Sequence, residues 1–385
     1  MNKLLSGNRI VLLENGECYF PDVLGEIDKA EHEIHLETYL FENDLTGQRV
    51  LDALCRAARR GVTVRVLVDG FGARPFIASM MDQAVEAGVA VLIYRKESRE
   101  RRFRRERLRR MHRKIFTVDE RIAWVGGINV IHDYTEKGPA HPRYDYAVRV
   151  EGPLVGSIVH AVHHLWWFVS WATLHEGGTP PRRSRVRPAQ AGNMRAGFVV
   201  RDNLRHRHDI EQAYQDAIDG AADEIVIACA YFFPGRSFRQ ALVDAAARGV
   251  KVTLLLQGLA DHPTMAYATR ALYPYFLEHG IRLFEYHRSY LHAKVAVVDG
   301  RWATVGSSNI DPFSLLLARE ANLVIEDAGF ATELRASLGR AMEQGAAELR
   351  PEDWRRLPRM RRMLTWLAYH FVRLAIGLAG VGGRH

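Results

Sequence analysis

Alternating apolar and polar residues predict the same order of elements in each half of this 385-residue chain. In each half, segments in which apolar and polar residues alternate predict β-strands. Apolar residues at helical spacing predict a helix over 47–60 in the first half and over 237–248 in the second. The strand segments are EIHLETYLF from Glu33, GVTVRVLVDG from Gly61, AGVAVLIY from Ala87, EIVIACAYFF from Glu224, GVKVTLLLQG from Gly249 and HGIRLFEY from His279. Because strands that alternate with helices form mostly parallel sheets covered by helices, we predict an α/β fold of two tandem, pseudo-symmetric lobes.

A segment rich in Pro, Gly and Arg marks the boundary between the lobes. Residues 176–193 lack apolar periodicity, which is typical of a linker. We therefore predict a first lobe over 1–191 that ends with this linker, a second lobe over 192–353, and a basic tail over 354–385.

The helical stretch from Ile158 to Leu174 raises the question of a metal. It carries His160, His163 and His164 at spacings that zinc ligands use, but no Asp, Glu or Cys stands at ligand spacing beside them. We interpret it as a core or interface helix, and we predict no metal and no cofactor.

Cysteine usage and the N-terminal residues indicate a reduced, cytoplasmic protein. Cys18, Cys55 and Cys229 are far apart and odd in number, which argues against a disulfide framework and against a CxxC metal knuckle. The N-terminal residues lack the continuous apolar core of a signal peptide.

The candidate chemistry lies in a motif that occurs once in each half, as MHRKIFTVDERIAWVGGIN and as LHAKVAVVDGRWATVGSSN. Both read HxK(x)4D followed by glycine and asparagine, and matching positions are 180 residues apart. The candidate catalytic residues are His112, Lys114, Asp119, His292, Lys294 and Asp299, and the candidate phosphate-binding residues are Asn129, Ser307 and Asn309. An interface between repeats brings equivalent residues face to face, so the duplication favours one site between the lobes over buried structural histidines.

The residue types in this motif suit a phosphate. Side chains two apart on a strand share a face, so the His and Lys of each motif point one way and the residue between them points away. The segment that follows predicts a hairpin, which returns the asparagine to that face. Ammonium groups, carboxamides and glycine-turn amides bind nonbridging phosphate oxygens, and the two histidines are then available for nucleophilic and acid–base catalysis.

Net charge points to a polyanionic partner. The formal charge of +8 is concentrated in two segments: residues 95–114 hold ten Arg, two Lys and three Glu, and residues 354–385 hold seven Arg and no acid. The remainder of the chain is therefore acidic. Such basic segments are typical of contact with nucleic acid or with an anionic membrane.

The paired motifs, with their GGIN and GSSN segments, resemble the phospholipase D superfamily over nearly the whole chain. Segments such as IHLETYLFENDLTG, YDYAVRVEGP, AYFFPGRSF and SSNIDPFSLLLARE are similar to bacterial cardiolipin synthases, particularly those of the B type. The resemblance implies transfer of a phosphatidyl group from one phospholipid to the glycerol hydroxyl of phosphatidylglycerol. Gly127 departs from the pattern, since many superfamily members have Ser there.

The resemblance also implies a mechanism without a metal. His112 attacks phosphorus to form a phosphatidyl-histidine, and His292 protonates the departing alcohol before it deprotonates the incoming hydroxyl. Lys114, Lys294 and the two asparagines stabilise charge on the phosphoryl oxygens.

Family position further assigns a carboxylate to each imidazole. It implies that Asp145 orients His112 and that Glu320 orients His292. Asp119 and Asp299 would then stabilise the turn after each motif strand or pair with lysine.

The C-terminal segment bears on the substrate class. An Arg cluster precedes an apolar stretch from Met363 to Gly380, which His370 and Arg373 interrupt, so we predict a helix that lies in the interface of an anionic membrane. The alternative is a buried C-terminal helix. The interfacial helix predicts a peripheral protein on the cytoplasmic side of the cell membrane.

Three other functions are alternatives to phosphatidyl transfer. A phospholipase D-type hydrolase would use the same motif with water as the acceptor. A nuclease of the superfamily is disfavoured because aromatic residues, beyond Phe103, are not interleaved with the arginines from 95 to 113. A membrane scaffold without activity is disfavoured because both motifs are intact.

Overall fold

The structure is a computed structural model that describes residues 4–96, 109–134, 139–173, 188–202, 206–259, 263–311, 314, 317–352 and 359–378. Most of the predicted linker and most of the Arg-rich stretch before His112 lie outside the described residues. The predicted boundary between the lobes, near Gly192, stays a prediction.

The described elements follow the predicted order in both halves. The strands are β1 (Leu5–Glu14), β2 (Glu33–Thr38), β3 (Thr63–Asp69), β4 (Ala90–Tyr94), β5 (Ile115–Val118), β6 (Ile122–Gly126), β7 (Tyr146–Glu151), β8 (Met194–Arg201), β9 (Glu224–Cys229), β10 (Lys251–Gln257), β11 (Arg282–Tyr286), β12 (Lys294–Val298), β13 (Trp302–Gly306), β14 (Glu320–Glu326) and β15 (Ala346–Leu349). The helices are α1 (Asn15–Lys29), α2 (Leu45–Arg59), α3 (Arg74–Ser79), α4 (Met81–Glu86), α5 (Val155–Ala172), α6 (Asp209–Asp219), α7 (Arg236–Ala247), α8 (Pro263–Arg270), α9 (Tyr273–Glu278), α10 (Ala328–Gly345) and α11 (Arg359–Leu378). Among these helices, none combines the length and the apolar character needed to cross a membrane.

The described strands form one sheet that contains the same unit twice. Its order is β15-β11-β10-β9-β12-β13-β14-β8-β1-β7-β6-β5-β2-β3-β4, so seven strands of each half mirror one another about the β8–β1 junction. That junction is antiparallel, and its register shifts between Leu5 and Asn8. The predicted α/β fold with two pseudo-symmetric halves is confirmed.

The prediction of mostly parallel sheet is wrong in its proportion. Parallel pairing joins β2, β3 and β4 in the first half and β9, β10 and β11 in the second, where helices connect the strands. The other pairings between these strands are antiparallel, as in the β5–β6 and β12–β13 hairpins. A short connection cannot reverse the chain and still give parallel strands, so each motif hairpin adds antiparallel strands to the sheet.

The central core holds the two halves together. It combines apolar side chains from β6 and β7 of the first half with those from β13 and β14 of the second, including Val125, Val148, Val305 and Leu323. Each half also has a core of its own, which lies beneath its helices. Because the halves share a core, the ends of their motif strands meet at a common edge.

Candidate active site

Each motif is placed by a short hairpin. His112 and Lys114 lie just before β5, which pairs with β2 on one side and β6 on the other. The alternation holds, since the intervening Arg113 points to the other face and donates to Glu37 at 2.7 Å. Lys294 begins β12 in the equivalent position.

The two histidines are held by carboxylates of the opposite half. His112 Nδ1 lies 2.9 Å from Glu320 Oε1, and His292 Nδ1 lies 2.5 Å from Asp145 Oδ2. The assignment of Asp145 to His112 and of Glu320 to His292 is therefore wrong.

Backbone pairing explains the exchange. The amide of His112 donates to the carbonyl of Arg319 at 2.9 Å, and the amide of His292 donates to the carbonyl of Tyr144 at 2.8 Å. Each histidine thus lies beside the start of the carboxylate-bearing segment from the other half. Sequence separation within one half gives no information about that contact.

This arrangement determines which ring nitrogen is available. A carboxylate accepts a hydrogen bond, so Nδ1 of each ring carries the proton and Nε2 keeps a lone pair. Burial, reinforced by Lys114, lowers the pKa of His112. Burial and the charge of Lys294 lower the pKa of His292 well below its usual value. Both imidazoles are therefore neutral bases in the free protein.

The two lysines lie in the same buried cluster. Lys114 Nζ donates to the carbonyl of His112 at 2.6 Å, and Lys294 Nζ donates to the carbonyl of His292. Burial lowers the pKa of Lys114 to about 7, with Lys294 acting in the same direction. A bound phosphate would add negative charge beside this pair of ammonium groups and so favour their charged form.

Tyr39, which no sequence motif singles out, also belongs to this cluster. Its ring centroid lies 4.9 Å from that of His112, with the rings edge to face, and Lys114 Nζ lies 5.4 Å from the same centroid. The available signal was its position just after β2, because the carboxyl ends of parallel strands commonly carry binding residues.

The two asparagines take equivalent positions after β6 and β13. Asn129 Oδ1 accepts from the amide of Leu40 at 3.1 Å, and Asn309 Oδ1 accepts from the amide of Tyr231 at 3.4 Å. The Asn129 oxygen thus holds the loop that follows β2, and the Asn309 oxygen holds the loop that follows β9. The NH2 groups are left to donate elsewhere.

Ser307 does not have the predicted phosphate-binding geometry. Its hydroxyl is fully buried, donates to Glu320 Oε2 and accepts from the amide of Ala321 at 3.0 Å. In the first half, a Cβ on Gly127 would lie 2.3 Å from Asp145 Oδ1. Ser307 therefore holds the Glu320 carboxylate in position, whereas the lack of a side chain at Gly127 leaves space for the Asp145 carboxylate.

Asp119 and Asp299 lie at the far ends of the hairpins and are not catalytic residues. Both have left-handed backbone conformations, with φ values of 52° and 50°. Asp299 accepts from the amides of Ala222, Asp223 and Glu224 at 2.8–3.0 Å. Asp119 does the same for the segment before β2. The strand length separates these carboxylates from the histidines, so they hold the turns and not the substrate.

The predicted helix with three histidines forms α5, and one of them joins a polar cluster outside the candidate site. His163 Nε2 lies 3.0 Å from Glu33 Oε1, and the His163 and His35 rings are 4.6 Å apart. These three residues are the one group of potential metal ligands found among the described residues. Arg65 Nη1 lies 3.1 Å from His35 Nε2, so a cation already occupies one side of the cluster.

Comparisons with known proteins identify the family of this chain. The family described as cardiolipin synthase, PLD-like domain, matches residues 23–157 and 214–342, which is more than half of the chain. Cardiolipin synthase B of Salmonella typhimurium is 40% identical, and the alignment covers 97% of this chain and 90% of the relative. Cardiolipin synthase B of Escherichia coli K12 is 39% identical with the same coverage.

A solved structure shows the same fold. Phosphatidylserine synthase from Haemophilus influenzae superposes with a TM-score of 0.73 at 15% identity, over 99% of this chain and 97% of its own. The duplicated histidine site and the extent of these matches lead to one conclusion. This chain belongs to the PLD-like cardiolipin synthase family and is an enzyme of the phospholipase D superfamily.

Proposed function

We propose that this chain transfers a phosphatidyl group from one phospholipid to the glycerol hydroxyl of phosphatidylglycerol and so forms cardiolipin. The supporting observation is the pair of buried imidazoles, His112 and His292, each with Nδ1 held by a carboxylate of the opposite half. Two Nε2 lone pairs are then available, one for nucleophilic attack and one to carry a proton. The cardiolipin synthase relatives support the substrate class.

In the first step, His112 Nε2 attacks the donor phosphorus. The bond from phosphorus to the headgroup oxygen breaks, and His292 donates a proton to that oxygen, so a neutral alcohol leaves. His292 takes this proton from solvent, which the negative charge of the bound phosphodiester favours. The product on the protein is a phosphatidyl-histidine.

In the second step, the incoming hydroxyl gives its proton to His292 Nε2. The hydroxyl oxygen attacks phosphorus, the bond from phosphorus to His112 breaks, and the imidazole returns to its starting state. Donor and acceptor thus use one site in turn. The assignment of His112 as the nucleophile follows the resemblance to related phospholipases.

Charge on the phosphoryl oxygens is met by Lys114, Lys294 and the NH2 groups of Asn129 and Asn309. Fixed donors of this kind supply the largest electrostatic contribution in many enzymes, because they need no reorganisation during the reaction. Burial and the neighbouring Lys294 lower the pKa of Lys114 to about 7. Phosphate binding raises that pKa and keeps the ammonium charged.

The test is incubation of the purified chain with phosphatidylglycerol in detergent micelles, followed by identification of the lipid products. Cardiolipin and glycerol are the expected products, and phosphatidic acid alone would identify a hydrolase instead. His112→Ala and His292→Ala should each abolish turnover without loss of the folded state.

A phospholipid with a p-nitrophenol headgroup separates the two histidine roles. This headgroup leaves without a proton, so His292→Ala should still release p-nitrophenol in a single turnover, whereas His112→Ala should not. The reverse result would exchange the roles, and release by both variants would contradict a histidine nucleophile.

We further propose that α11 (Arg359–Leu378) contacts an anionic membrane. A narrow strip of the helix packs on the second half, where Val372 is buried and the rings of Tyr369 and Phe233 are 5.5 Å apart. Seven large apolar side chains of the helix are exposed, and these are Met360, Met363, Leu364, Trp366, Leu367, Phe371 and Leu374. An exposed apolar face with arginines but no acid is suited to the interface of anionic lipid.

The packed strip of α11 lies near the candidate site. Phe233, on which the helix packs, has its amide bonded to the carbonyl of Ile310 at 2.7 Å, next to Asn309. A membrane on the exposed face of α11 would therefore lie across the helix from the loop that carries a phosphate-binding candidate.

Substitution of the exposed face tests this contact. Trp366→Ser with Phe371→Ser should weaken binding to phosphatidylglycerol vesicles, as should salt, because screening acts over about 8 Å at physiological ionic strength. Val85→Ser, which removes a similarly exposed side chain from α4, is the matched control. Turnover of a short-chain soluble phospholipid should persist, and unchanged vesicle binding would contradict the proposal.

Removal of residues 354–385 is a less direct test. The sequence predicts a tail that can be deleted without harm to the body, but α11 covers part of the second-half core. Deletion would therefore expose apolar surface as well as remove the membrane contact.

A further inference from the structure

Arg143 presents an unassigned cation beside His292. Its neighbour Tyr144 accepts from the amide of His292 at 2.8 Å, and Asp145 binds the His292 ring. Side chains alternate along this segment, and Tyr144 and Tyr146 point into the core, where their hydroxyls are 2.7 Å apart. Arg143 therefore points with Asp145 towards the site.

Within the described part of the chain, the guanidinium group of Arg143 forms no ion pair. Its Nε is buried and lacks a hydrogen bond, and no carboxylate among the described residues lies within ion-pair distance of it. Asp133 accepts the Arg143 amide at its backbone carbonyl and uses its own carboxylate to bind the amide of Gly16 at 2.6 Å, while the Asp145 carboxylate binds His292; the charge of Arg143 acts on both carboxylates without an ion pair. A buried donor on a charged group is costly unless a ligand satisfies it. The charge of Arg143 also helps to lower the pKa of His292.

The second half lacks this cation at the equivalent position. Arg319 takes the place of Tyr144 in pairing with His112, so Ala318 is the counterpart of Arg143. Near that position Arg201 is buried and donates to the Ala318 carbonyl. Besides the difference between Ser307 and Gly127, the two ends of the site therefore differ by one guanidinium group, which lies on the His292 side.

The chemistry of the proposed transfer places the acceptor on that side. If His112 attacks phosphorus, the leaving alcohol departs opposite to it, next to His292, and the acceptor enters where the alcohol left. A phosphatidylglycerol acceptor retains its own phosphate, three carbons from the attacking hydroxyl, whereas water and glycerol carry no charge. We propose that Arg143 binds this retained phosphate and so selects an anionic phospholipid over water as the acceptor. The inference rests on the proposed transferase function.

The experiment compares product ratios from phosphatidylglycerol micelles for wild type, Arg143→Gln and Arg143→Lys. A charge-assisted hydrogen bond to phosphate is worth enough to change a partition ratio about tenfold or more. We expect the ratio of cardiolipin to phosphatidic acid to fall by that factor in Arg143→Gln, with a higher KM for the acceptor. Arg143→Lys should recover part of the ratio, because it keeps the charge and loses only the bidentate geometry.

Arg56→Gln is the control, since Arg56 is exposed and pairs with exposed Asp28. An unchanged product ratio in Arg143→Gln would overturn the inference, as would an equal loss of both products in both Arg143 variants, which would place the residue in the chemistry of the donor. Failure of the wild type to make any cardiolipin would instead contradict the proposed function.

Discussion

His112 and Glu320 are 208 residues apart in the chain, yet Nδ1 of the histidine lies 2.9 Å from the carboxylate of the glutamate. The mirror contact joins His292 to Asp145 across 147 residues at 2.5 Å. Each half thus supplies an imidazole to one contact and a carboxylate to the other. Neither half alone contains a histidine with its partner, so the site exists only when the two halves pack together.

The crossed contacts predict different kinetic defects for the two carboxylates. Glu320→Gln should slow formation of the phosphatidyl-histidine on the order of 10²-fold or more, because the nucleophile loses its charged partner. Asp145→Asn should slow turnover of phosphatidylglycerol similarly. The p-nitrophenol substrate should relieve only the Asp145→Asn defect in a single-turnover measurement, since that defect acts through His292. Relief of the Glu320→Gln defect instead would indicate that Glu320 acts through His292 and Asp145 through His112 during the reaction.

Loss of a turn carboxylate should affect stability more than chemistry. Asp299→Ala removes the acceptor for three backbone amides, so the free energy of unfolding should fall by about 1–3 kcal/mol. Urea denaturation measures this change. The value of kcat at a temperature where the variant is folded should stay near wild type, and a loss comparable with that of His292→Ala would restore Asp299 to the catalytic set.

The dependence of kcat/KM on pH should reflect the ionisation of two buried groups, Asp145 on the acid side and Lys114 on the alkaline side. Burial raises the pKa of Asp145 to about 6, so below that pH the carboxyl gains a proton and His292 loses its charged partner. Burial lowers the pKa of Lys114 to about 7, so above that pH the ammonium charge is lost. A plot of kcat/KM, which reports the free enzyme, should therefore be bell-shaped.

A charge-preserving variant checks the alkaline limb. Arginine stays protonated throughout this range, so any residual kcat/KM of Lys114→Arg should no longer decline as pH rises from about 7 to about 9. An unchanged alkaline limb in this variant would assign it to another group.

Chelation should leave turnover intact, since the proposed chemistry uses imidazole, ammonium, carboxamide and carboxylate groups. We expect wild-type activity to survive EDTA, and His163→Gln to behave like wild type with and without the chelator. Activity that EDTA removes and zinc restores, in wild type but not in His163→Gln, would show that Glu33, His35 and His163 form a functional metal centre.

Local periodicity made much of this molecule readable from the sequence. A strand alternates sides every two residues whatever surrounds it, so the shared face of His112 and Lys114, and the opposite placement of Arg113, followed from spacing alone. The repeated order of strands and helices predicted the two similar halves for the same reason. The duplicated motif pointed to one site because equivalent surfaces of a repeat tend to meet.

Tertiary structure decided which residues of one half touch the other. The exchange of Asp145 and Glu320 depends on how β7 and β14 approach the opposite motif, and no local spacing encodes that approach. The roles of Ser307 and Asp299 also depend on long-range partners, a buried carboxylate and a set of backbone amides. Sequence therefore determined the chemical groups and their local directions, whereas the packing of two halves around one core determined their partners.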